Sequence, residues 1–270
     1  MRGRKENGYL KILLIGDIIG KPGRRVVRRL IPDAVYQYEI DLVIANCENA
    51  AGGFGVTREV VEELYRNNID VLTSGNHIWS KKETSEFIED YETLLRPANY
   101  PEGLPGRGSV LVRSSSGGVV GVINLMGRVF MRPLDCPFKA AEREIEKLKG
   151  KTSIIIVDIH AEATSEKQAI GWFLDGRVSA VLGTHTHVQT ADERILPGGT
   201  AYITDVGMTG PFDSIIGIKK DIILKRFLTG VPNKFDVANQ NVWLQGTIVD
   251  VDENSGKSVS IERLNMKLEK

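Results

Sequence analysis

Ile154-Ile155-Ile156-Val157-Asp158-Ile159-His160 is a nearly continuous apolar run that ends in a histidine. Comparable runs lie at 10–16, 41–46, 70–74 and 178–185. Strands that are apolar along their whole length are typical of sheets that helices cover on both faces. We therefore predict a strand at each of these places, with helices packed against the sheets.

Helical signals separate the predicted strands. Pro22 fits the first turn of a helix over 22–38, because its missing N–H is not needed there. Pro32 is expected to kink or divide that helix. Further helices are predicted over 57–67, 83–90 and 137–149.

Antiparallel strand pairs are also predicted. The segments 109–112 and 119–125 alternate like one such pair, and 242–251 and 258–264 alternate like another. Antiparallel pairs combined with strand–helix units make the sheets mixed. The sequence therefore predicts an α/β fold, a layered α/β sandwich with mixed β-sheets.

The composition is typical of a globular cytoplasmic protein. Its 35 basic residues balance 35 acidic ones, which disfavours broad electrostatic capture of nucleic acid, although the basic face over 24–29 could bind RNA. No apolar run reaches the roughly 18–20 residues that span a bilayer, so no membrane partner is expected. Cys47 and Cys136 form no CxxC pattern, as expected for thiols in a reduced compartment. We expect a flexible N-terminal extension over 1–8 and a single domain over 9–270.

Polar residues with metal-binding side chains follow the predicted strands. The chain has 4 histidines, and each lies in a short motif suited to metal binding: His77, His160, His185 and His187. Asp17, Glu48 and Asn76 also lie at or just after the ends of predicted strands. Because ligands bind at the carboxyl ends of strands in open α/β sheets, we expect these side chains to meet at one edge. Imidazole is the commonest metal ligand, so the pattern predicts a metal site.

The number of predicted ligands indicates two metal ions. A tetrahedral site uses fewer side chains than the set Asp17, Glu48, Asn76, His160, His185 and His187. Glu48 is the expected bridge, because its two carboxylate oxygens can bind two ions. Histidine and carboxylate ligands without thiolate favour iron, manganese or zinc. His185 and His187 both reach the site only if the chain turns irregularly after the strand, which Gly183 permits.

A dinuclear site predicts hydrolysis of a phosphate ester. Two ions about 3.5–4 Å apart clamp the ester and lower the pKa of a bridging water, whose hydroxide attacks phosphorus in line. The leaving alkoxide needs a proton, and His77 is placed to supply it or to stabilise the pentavalent state. Candidate substrate contacts are Arg128 and Arg132, since guanidinium suits phosphate, and Thr209.

These residues resemble the calcineurin-like metallophosphoesterase superfamily, whose motifs are D-x-H, GD-x-x-D, GNH-[DE], a single histidine and GH-x-H. The chain departs from those motifs at several places. Asp17-Ile18-Ile19 lacks the histidine of D-x-H, and Glu48 stands where the bridging aspartate would be. Ile78 follows His77 in place of an acid, and Thr184 interrupts the Gly-His pair.

The departures match one branch, the bacterial YmdB-like phosphodiesterases. The resemblance extends from about Lys11 to about Arg263 and includes the motifs at 16–20, 48–51, 160–167 and 204–211. It implies the metallophosphoesterase fold and a di-iron hydrolase of 2′,3′-cyclic nucleotides that forms a homo-oligomer. It implies His77 as proton donor and, as metal ligands, Asp17, Glu48, Asn49, Asn76, His160, His185 and His187. Asn49 is assigned by the resemblance alone.

Two other functions are compatible with this sequence. The same site could act as a metallophosphatase on other phosphomonoesters or diesters. Alternatively, the chain could be a non-catalytic regulatory protein that binds metal. His77 argues against the regulatory function, because a protein that only holds metal has no need of an additional unligated imidazole.

Overall fold

The computed structural model describes residues 8–269, so most of the extension predicted over 1–8 lies outside the described residues. Strands and helices alternate along most of the chain. In chain order they are β1 (Tyr9–Ile15), β2 (Asp17–Ile18), α1 (Gly20–Gln37), β3 (Leu42–Asn46), α2 (Arg58–Arg66), β4 (Val71–Thr73), α3 (Thr84–Phe87), a 3-10 turn (Ile88–Asp90), β5 (Ser109–Arg113), β6 (Val119–Met126), α4 (Pro137–Leu148), β7 (Ile154–His160), α5 (Thr164–Leu174), β8 (Ala180–Thr184), β9 (Arg194–Ile195), β10 (Ala201–Ile203), β11 (Met208–Pro211), α6 (Lys220–Thr229), β12 (Val242–Asp252) and β13 (Ser258–Lys267).

The strands form two mixed sheets. One has the order β2-β11-β12-β1-β3-β4, with β13 paired to β12, and the other has the order β5-β6-β7-β8-β10-β9. In the first sheet β1, β3 and β4 are parallel, whereas β12 is antiparallel to β1. In the second sheet β6, β7, β8 and β10 are parallel and β5 and β9 are antiparallel edges. The prediction of mixed sheets is confirmed.

Strand alternation builds the layers. Ile154 and Ile156 of β7 pack with Ile12 and Leu14 of β1 in the core between the sheets. The alternate residues of β7, such as Ile155, face a second core formed with α4 and α5. A third core joins the outer face of the first sheet to α1 and α2. Because every central strand is buried on both faces, the molecule is a helix–sheet–sheet–helix sandwich, as predicted.

Most predicted elements are present. Pro32 was expected to kink or divide the first helix, and it does not divide α1, which continues through it as one helix. Val26, Val27, Ile31 and Ala34 bury one face of this helix, and that burial offsets the hydrogen bond that proline cannot make. The predicted pairs β5–β6 and β12–β13 are confirmed.

The sequence analysis did not predict α5, α6 or four short strands. α5 buries Glu166 and Lys167, so charged residues interrupt the apolar pattern of its inner face. α6 buries Ile223 but leaves Phe227 and Leu228 exposed, so its apolar residues do not mark one face. Strands of two to four residues such as β2 and β11 are too short to show a period. No helix within residues 8–269 has the length and apolar character needed to cross a membrane.

Candidate metal centre

The carboxyl ends of strands from both sheets meet at one edge of the sandwich. Asp17 is separated from the end of β1 by Gly16 and begins β2, and His160 is the last residue of β7. Glu48, Asn76 and His185 lie in the turns that follow β3, β4 and β8. Glu48, His160 and His185 each present a ligand atom within 4.8 Å of the others. The predicted convergence of these strand-end residues is therefore present.

Four of the predicted ligands contact one another, and we call them the inner group: Glu48, Asn76, His160 and His185. The Nε2 atom of His160 lies 3.0 Å from Asn76 Oδ1, 3.3 Å from Glu48 Oε1 and 2.9 Å from His185 Nδ1. One nitrogen carries at most one hydrogen, so it cannot donate to all three atoms. A metal bonded to its ligands at about 2.0–2.1 Å places them about 3 Å apart, which fits these distances.

The core of the second sheet fixes the orientation of the His160 ring. Asp158 Oδ1 accepts a hydrogen bond from Thr184 Oγ1 at 2.7 Å, so that hydroxyl is left to accept from His160 Nδ1 at 3.0 Å. The Asn46 amide, 3.4 Å from the same Nδ1, has closer acceptors in Asp158 Oδ2 at 3.2 Å and the Ser74 carbonyl at 3.3 Å. Nδ1 therefore carries the hydrogen, and the Nε2 lone pair faces the inner group.

The remaining predicted ligands form an outer group: Asp17, Asn49 and His187. Asp17 Oδ1 and Asn49 Oδ1 are buried without a hydrogen-bond partner among the described residues. His187 Nε2 lies 3.7 Å from Asp17 Oδ1, and its Nδ1 contacts the Ile216 carbonyl at 3.0 Å. Buried acceptors without a donor are costly unless a cation satisfies them. These two oxygens and the donor set of both groups fit a pair of metal ions.

The protonation states of the ligands also suit cations. Burial acts to raise the pKa of Asp17, but the nearby His187 and His160 outweigh it and hold that pKa well below its usual range. The pKa of Glu48 is lowered in the same way, since the charge of His160 outweighs burial. Burial and the charge of His160 lower the pKa of His185 to about 3. Near neutral pH the two carboxylates are thus ionised and His185 is neutral, as metal ligands must be. Burial acts to lower the pKa of His160, but Glu48 and Asp17 outweigh it and raise that pKa to about 9, and Asp17 raises the pKa of His187 in the same way. A bound cation would therefore displace a proton from each of these two imidazoles.

The segment after β8 turns irregularly, as predicted. His185 and His187 have φ values of 101° and 65°, in the region that non-glycine residues rarely adopt. Asp205 Oδ2 holds the turn by accepting from the Thr186 backbone N–H at 3.0 Å and from the Thr186 hydroxyl at 2.8 Å. Lys167 Nζ lies 2.7 Å from the same oxygen, and this ion pair is completely buried. The strained turn is therefore stabilised from the core.

Sequence reasoning missed three residues that support the site: Asp158, Lys167 and Asp205. All lie inside or next to motifs that were recognised, but none ends a strand at the ligand edge. Glu162 was missed as well, and its Oε2 lies 3.0 Å from His185 Nε2. A charged residue within an apolar strand, such as Asp158, was the only available signal. Burial without a partner is too costly for such a residue, so it indicates a hidden hydrogen-bond network.

A cavity of about 340 Å³ opens beside both donor groups. Glu48, His77, His185 and His187 line its polar side. Its other walls are apolar and include Ile19, Phe54, Ile216, Ile218, Ile223 and Phe235. Phe54 stacks on Phe235 with ring centroids 5.8 Å apart. The cavity therefore joins an ion-binding wall to a flat apolar wall, which suits a ligand with a phosphate and an aromatic ring.

His77 belongs to the cavity wall and not to the inner or outer group. Its backbone N–H donates to Glu48 Oε2 at 2.9 Å, and its Nδ1 lies 3.2 Å from Ser80 Oγ. The Phe54 ring packs edge-on against the imidazole, with centroids 4.9 Å apart. Since Ser80 occupies Nδ1, Nε2 is the ring nitrogen left for a substrate.

The predicted substrate contacts have different outcomes. Arg132 is exposed, and its positive charge is one of the factors that lower the pKa of His77, after burial and His160. Arg128 is exposed too, while its backbone N–H donates to Glu166. The prediction that Thr209 contacts the substrate is wrong, because its side chain is completely buried and its hydroxyl donates to the Gln245 carbonyl at 3.1 Å. Thr209 has no surface to offer a substrate.

The sequence profile of the YmdB-like protein family matches residues 13–264. The chain belongs to the YmdB-like family. The 2′,3′-cyclic-nucleotide 2′-phosphodiesterase of Bacillus subtilis (strain 168) is 51% identical over 255 residues, which cover 94% of this chain and 96% of that protein. A putative phosphatase/phosphodiesterase of Mycoplasma genitalium is 37% identical over 265 residues, covering 96% and 94% of the two chains. The predicted family is confirmed.

Solved structures of similar chains support the same assignment. A hypothetical protein from Thermus thermophilus has 44% sequence identity and a TM-score of 0.89, covering 96% of this chain and 99% of that one. A novel phosphatase from Mycoplasma pneumoniae has 35% identity and the same TM-score of 0.89, with coverage of 96% and 94%. The predicted α/β sandwich is thus the fold of this YmdB-like family.

Proposed function

We propose that this chain is a dinuclear metal-dependent phosphodiesterase that hydrolyses 2′,3′-cyclic nucleotides to nucleoside monophosphates, with residues 9–270 acting as a single domain. The observation that carries the proposal is the meeting of the inner and outer donor groups beside a cavity that is also lined by the stacked rings of Phe54 and Phe235. The activity for which the Bacillus subtilis relative is named supports the choice of substrate.

The inner group would hold one ion and the outer group the other, with Glu48 between them. Two bound cations supply Lewis-acid activation of the phosphoryl group and of the attacking water. The donors are imidazole, carboxylate and amide, while Cys47 lies buried in the hydrophobic core. Donors of this type favour iron, with manganese or zinc as the alternatives.

The protein's own residues would orient the substrate and move one proton. The stacked Phe54 and Phe235 offer the apolar wall on which a nucleobase can pack. Attack of water on phosphorus breaks the bond to the 2′ oxygen, which leaves as an alkoxide and needs a proton. His77 Nε2 would donate it, and Arg132 would attract the phosphate from the rim. The product is then a nucleoside 3′-phosphate.

A substrate panel tests the proposal directly. Protein purified without oxygen is analysed for metal content and then assayed with 2′,3′-cAMP, 3′-AMP and bis(p-nitrophenyl) phosphate. We expect two ions per chain, with iron predominant, and the highest kcat/KM for the cyclic nucleotide. Faster turnover of 3′-AMP would replace the diesterase by a metallophosphatase, consistent with the broader name of the Mycoplasma relative. Full metal loading without turnover of any ester would favour the regulatory function.

The role of His77 is tested with His77→Gln. Loss of a general acid lowers kcat for 2′,3′-cAMP by roughly 10²–10⁴-fold. A p-nitrophenolate leaving group needs no proton, so the same variant is expected to retain most of its activity on bis(p-nitrophenyl) phosphate. Metal content should equal that of the parent chain. Equal losses on both substrates would assign His77 to positioning instead of proton transfer.

We also propose that the protein is a cytoplasmic homo-oligomer. Free Cys47 and Cys136 support a reduced compartment. In α6, Phe227 is 80% exposed and Leu228 is 84% exposed. Adjacent exposed apolar side chains of this size are typical of protein interfaces. The double substitution Phe227→Glu and Leu228→Glu is expected to reduce the mass measured by sedimentation equilibrium. An unchanged mass would remove α6 from the interface.

A further inference from the structure

Two further cavities lie beside the catalytic cavity along the first helix. Phe235 lines both the catalytic cavity and a second cavity of about 450 Å³. Lys21 and Arg25 line this second cavity and also a third one of about 340 Å³, which reaches Arg28 and Arg66. The three cavities therefore lie next to one another and follow α1 away from the metal centre. We call the second and third cavities the basic groove.

The start of α1 is tied to the metal centre. The Gly20 N–H donates to the Asn49 carbonyl at 2.9 Å, and the Gly53 N–H donates to the same oxygen at 3.1 Å. Gly20 and Gly53 both have positive φ, and a Cβ on either would lie within 3.2 Å of the Val237 side chain. The absence of these Cβ atoms lets the segment with Phe235 and Val237 pack against the start of the helix. This packing joins the basic groove to the catalytic cavity.

Five basic and three acidic side chains line the basic groove: Lys21, Arg24, Arg25, Arg28 and Arg66, and Glu59, Glu63 and Asp236. The side chains of Lys21, Arg25, Arg28 and Arg66 are exposed, and none of them forms an ion pair or hydrogen bond with another residue in the range 8–269. Arg24 differs, since it pairs with Glu63 at 2.7 Å. The whole chain has a formal net charge of 0, so this excess is local. Positive charge without a protein partner beside a phosphoesterase site is available for the phosphates of a longer substrate.

We propose that the natural substrates include single-stranded RNA whose 3′ end is a 2′,3′-cyclic phosphate. This inference rests on the proposed phosphodiesterase function. The terminal nucleotide would occupy the catalytic cavity, with its base on the Phe54–Phe235 wall, and the upstream phosphates would lie along Lys21, Arg25 and Arg28. Water adds to phosphorus, the bond to the terminal 2′ oxygen breaks, and that oxygen takes the proton. The RNA then ends in a 3′-phosphate and no internal linkage is cut.

A comparison of kcat/KM for a short RNA and for a mononucleotide tests the inference. The parent chain is expected to hydrolyse an oligoribonucleotide that ends in a cyclic phosphate with a higher kcat/KM than 2′,3′-cAMP. In the double variant Arg25→Gln/Arg28→Gln, the ratio of the two kcat/KM values should fall roughly tenfold. The slope of log kcat/KM for RNA against log salt should become less negative by about 1.4, since each lost phosphate contact contributes about 0.7. An unchanged ratio would mean that these arginines are only solvated.

Arg29→Gln is the matched control. Arg29 is an exposed arginine on the same helix, but it lines neither cavity of the basic groove. Its loss removes one positive charge from α1, half the charge that the double variant removes, and is expected to leave the ratio unchanged. If Arg29→Gln lowers the ratio as much as the substitution of Arg25 and Arg28 together, the effect is general helix charge and the groove assignment is wrong.

A binding experiment separates this inference from the proposed function. Fluorescence anisotropy measures the affinity of the metal-loaded protein for a labelled RNA ending in a 3′-phosphate and for the same RNA ending in a 3′-hydroxyl. We expect tighter binding of the phosphate-ended RNA and weaker binding by the Arg25→Gln/Arg28→Gln variant. This result supports the groove even if no cyclic nucleotide is hydrolysed. Equal affinity for the two ends, or no RNA binding, would overturn it.

Discussion

The inner and outer donor groups share one site but are held in different ways. In the inner group His160 Nε2 lies 2.9–3.3 Å from its neighbours, and the ring is fixed by Thr184 and Asp158 within the second sheet. In the outer group Asp17 Oδ1 is 3.7 Å from His187, whose other nitrogen contacts the carbonyl of Ile216 in a loop. Donors that already converge bind with less reorganisation. We therefore expect the inner group to bind its ion more tightly.

Replacing the residue shared by the two groups should have the largest effect. Glu48→Gln removes the carboxylate charge beside His160 and weakens both ion sites. We expect kcat to fall by at least about 10³-fold and metal content to drop to one ion per chain or fewer. Activity and elemental analysis of the same preparation measure this. Glu89→Gln, at an exposed carboxylate on the 3-10 turn, is the control and should leave both unchanged.

The turn that carries His187 depends on a buried ion pair, and Lys167→Met breaks that pair. The Asp205 carboxylate would then be buried without its cation, which costs about 3–5 kcal/mol of unfolding free energy. Urea denaturation of the metal-free protein measures this loss. Adding Asp205→Asn removes the unpaired charge and should restore part of the stability. A loss below about 1 kcal/mol would show that the turn does not depend on this pair.

The support of the inner group is tested by Asp158→Asn. The carboxylate accepts from Thr184 through one oxygen and from Thr73 and Asn46 through the other. The amide has only one acceptor oxygen and cannot serve both sides, so the Thr184 hydroxyl that fixes the His160 tautomer loses its support. Loss of such a supporting hydrogen bond weakens metal affinity about 10–100-fold. Titration with Mn²⁺ should show this loss for the tighter site and little change for the weaker one. Asp70→Asn is a suitable control, since the Asp70 carboxylate also accepts a hydrogen bond, from the Val43 backbone N–H, but at the other end of β3. Equal weakening of both sites would contradict the division into two groups.

A smaller, pH-dependent effect is expected at Asp192, which follows the His187 turn. Burial acts to raise its pKa, but hydrogen bonds from Thr190 and Thr204 outweigh it and lower that pKa below the ordinary value of 3.8. A lowered pKa means that the ionised form stabilises the fold above about pH 3.8 and that this stability is lost as the pH falls. Asp192→Asn should therefore cost about 1 kcal/mol at pH 7. The difference in unfolding free energy between the variant and the parent chain, measured by urea denaturation, should vanish in acid. A difference that does not depend on pH would assign the effect to packing.

The sequence predicted where the strands lie better than it predicted which residues pack or pair around them. The apolar runs before Asp17 and His160 identified β1 and β7, because a strand buried on both faces needs apolar residues throughout. The predicted ligand positions followed from the same signal, since side chains at the ends of parallel strands share an edge. α5 was missed because its buried Lys167 finds its partner Asp205 38 residues away, a pairing that no local pattern contains.

The assignment of Thr209 as a substrate contact failed for the same reason, because its partners are distant in sequence. Its position beside glycine and proline suggested a loop at the rim. In the structure β11 pairs with β2 and β12, so the Thr209 hydroxyl is used inside the sheet by Gln245. Whether a short polar segment becomes a strand is decided by neighbours that are distant in sequence. Residue type alone does not carry that information.

The order of residues along the chain was enough to indicate the fold class and which side chains could bind metal, because strand periodicity and ligand chemistry are local properties. The packing of the two sheets divided those ligands into an inner and an outer group. It alone placed Phe54 against Phe235, and it joined the cavity beside them to Lys21 and Arg25. The physical reason is that distances between side chains from different strands and loops depend on how the two sheets pack, and that packing is set by the whole core.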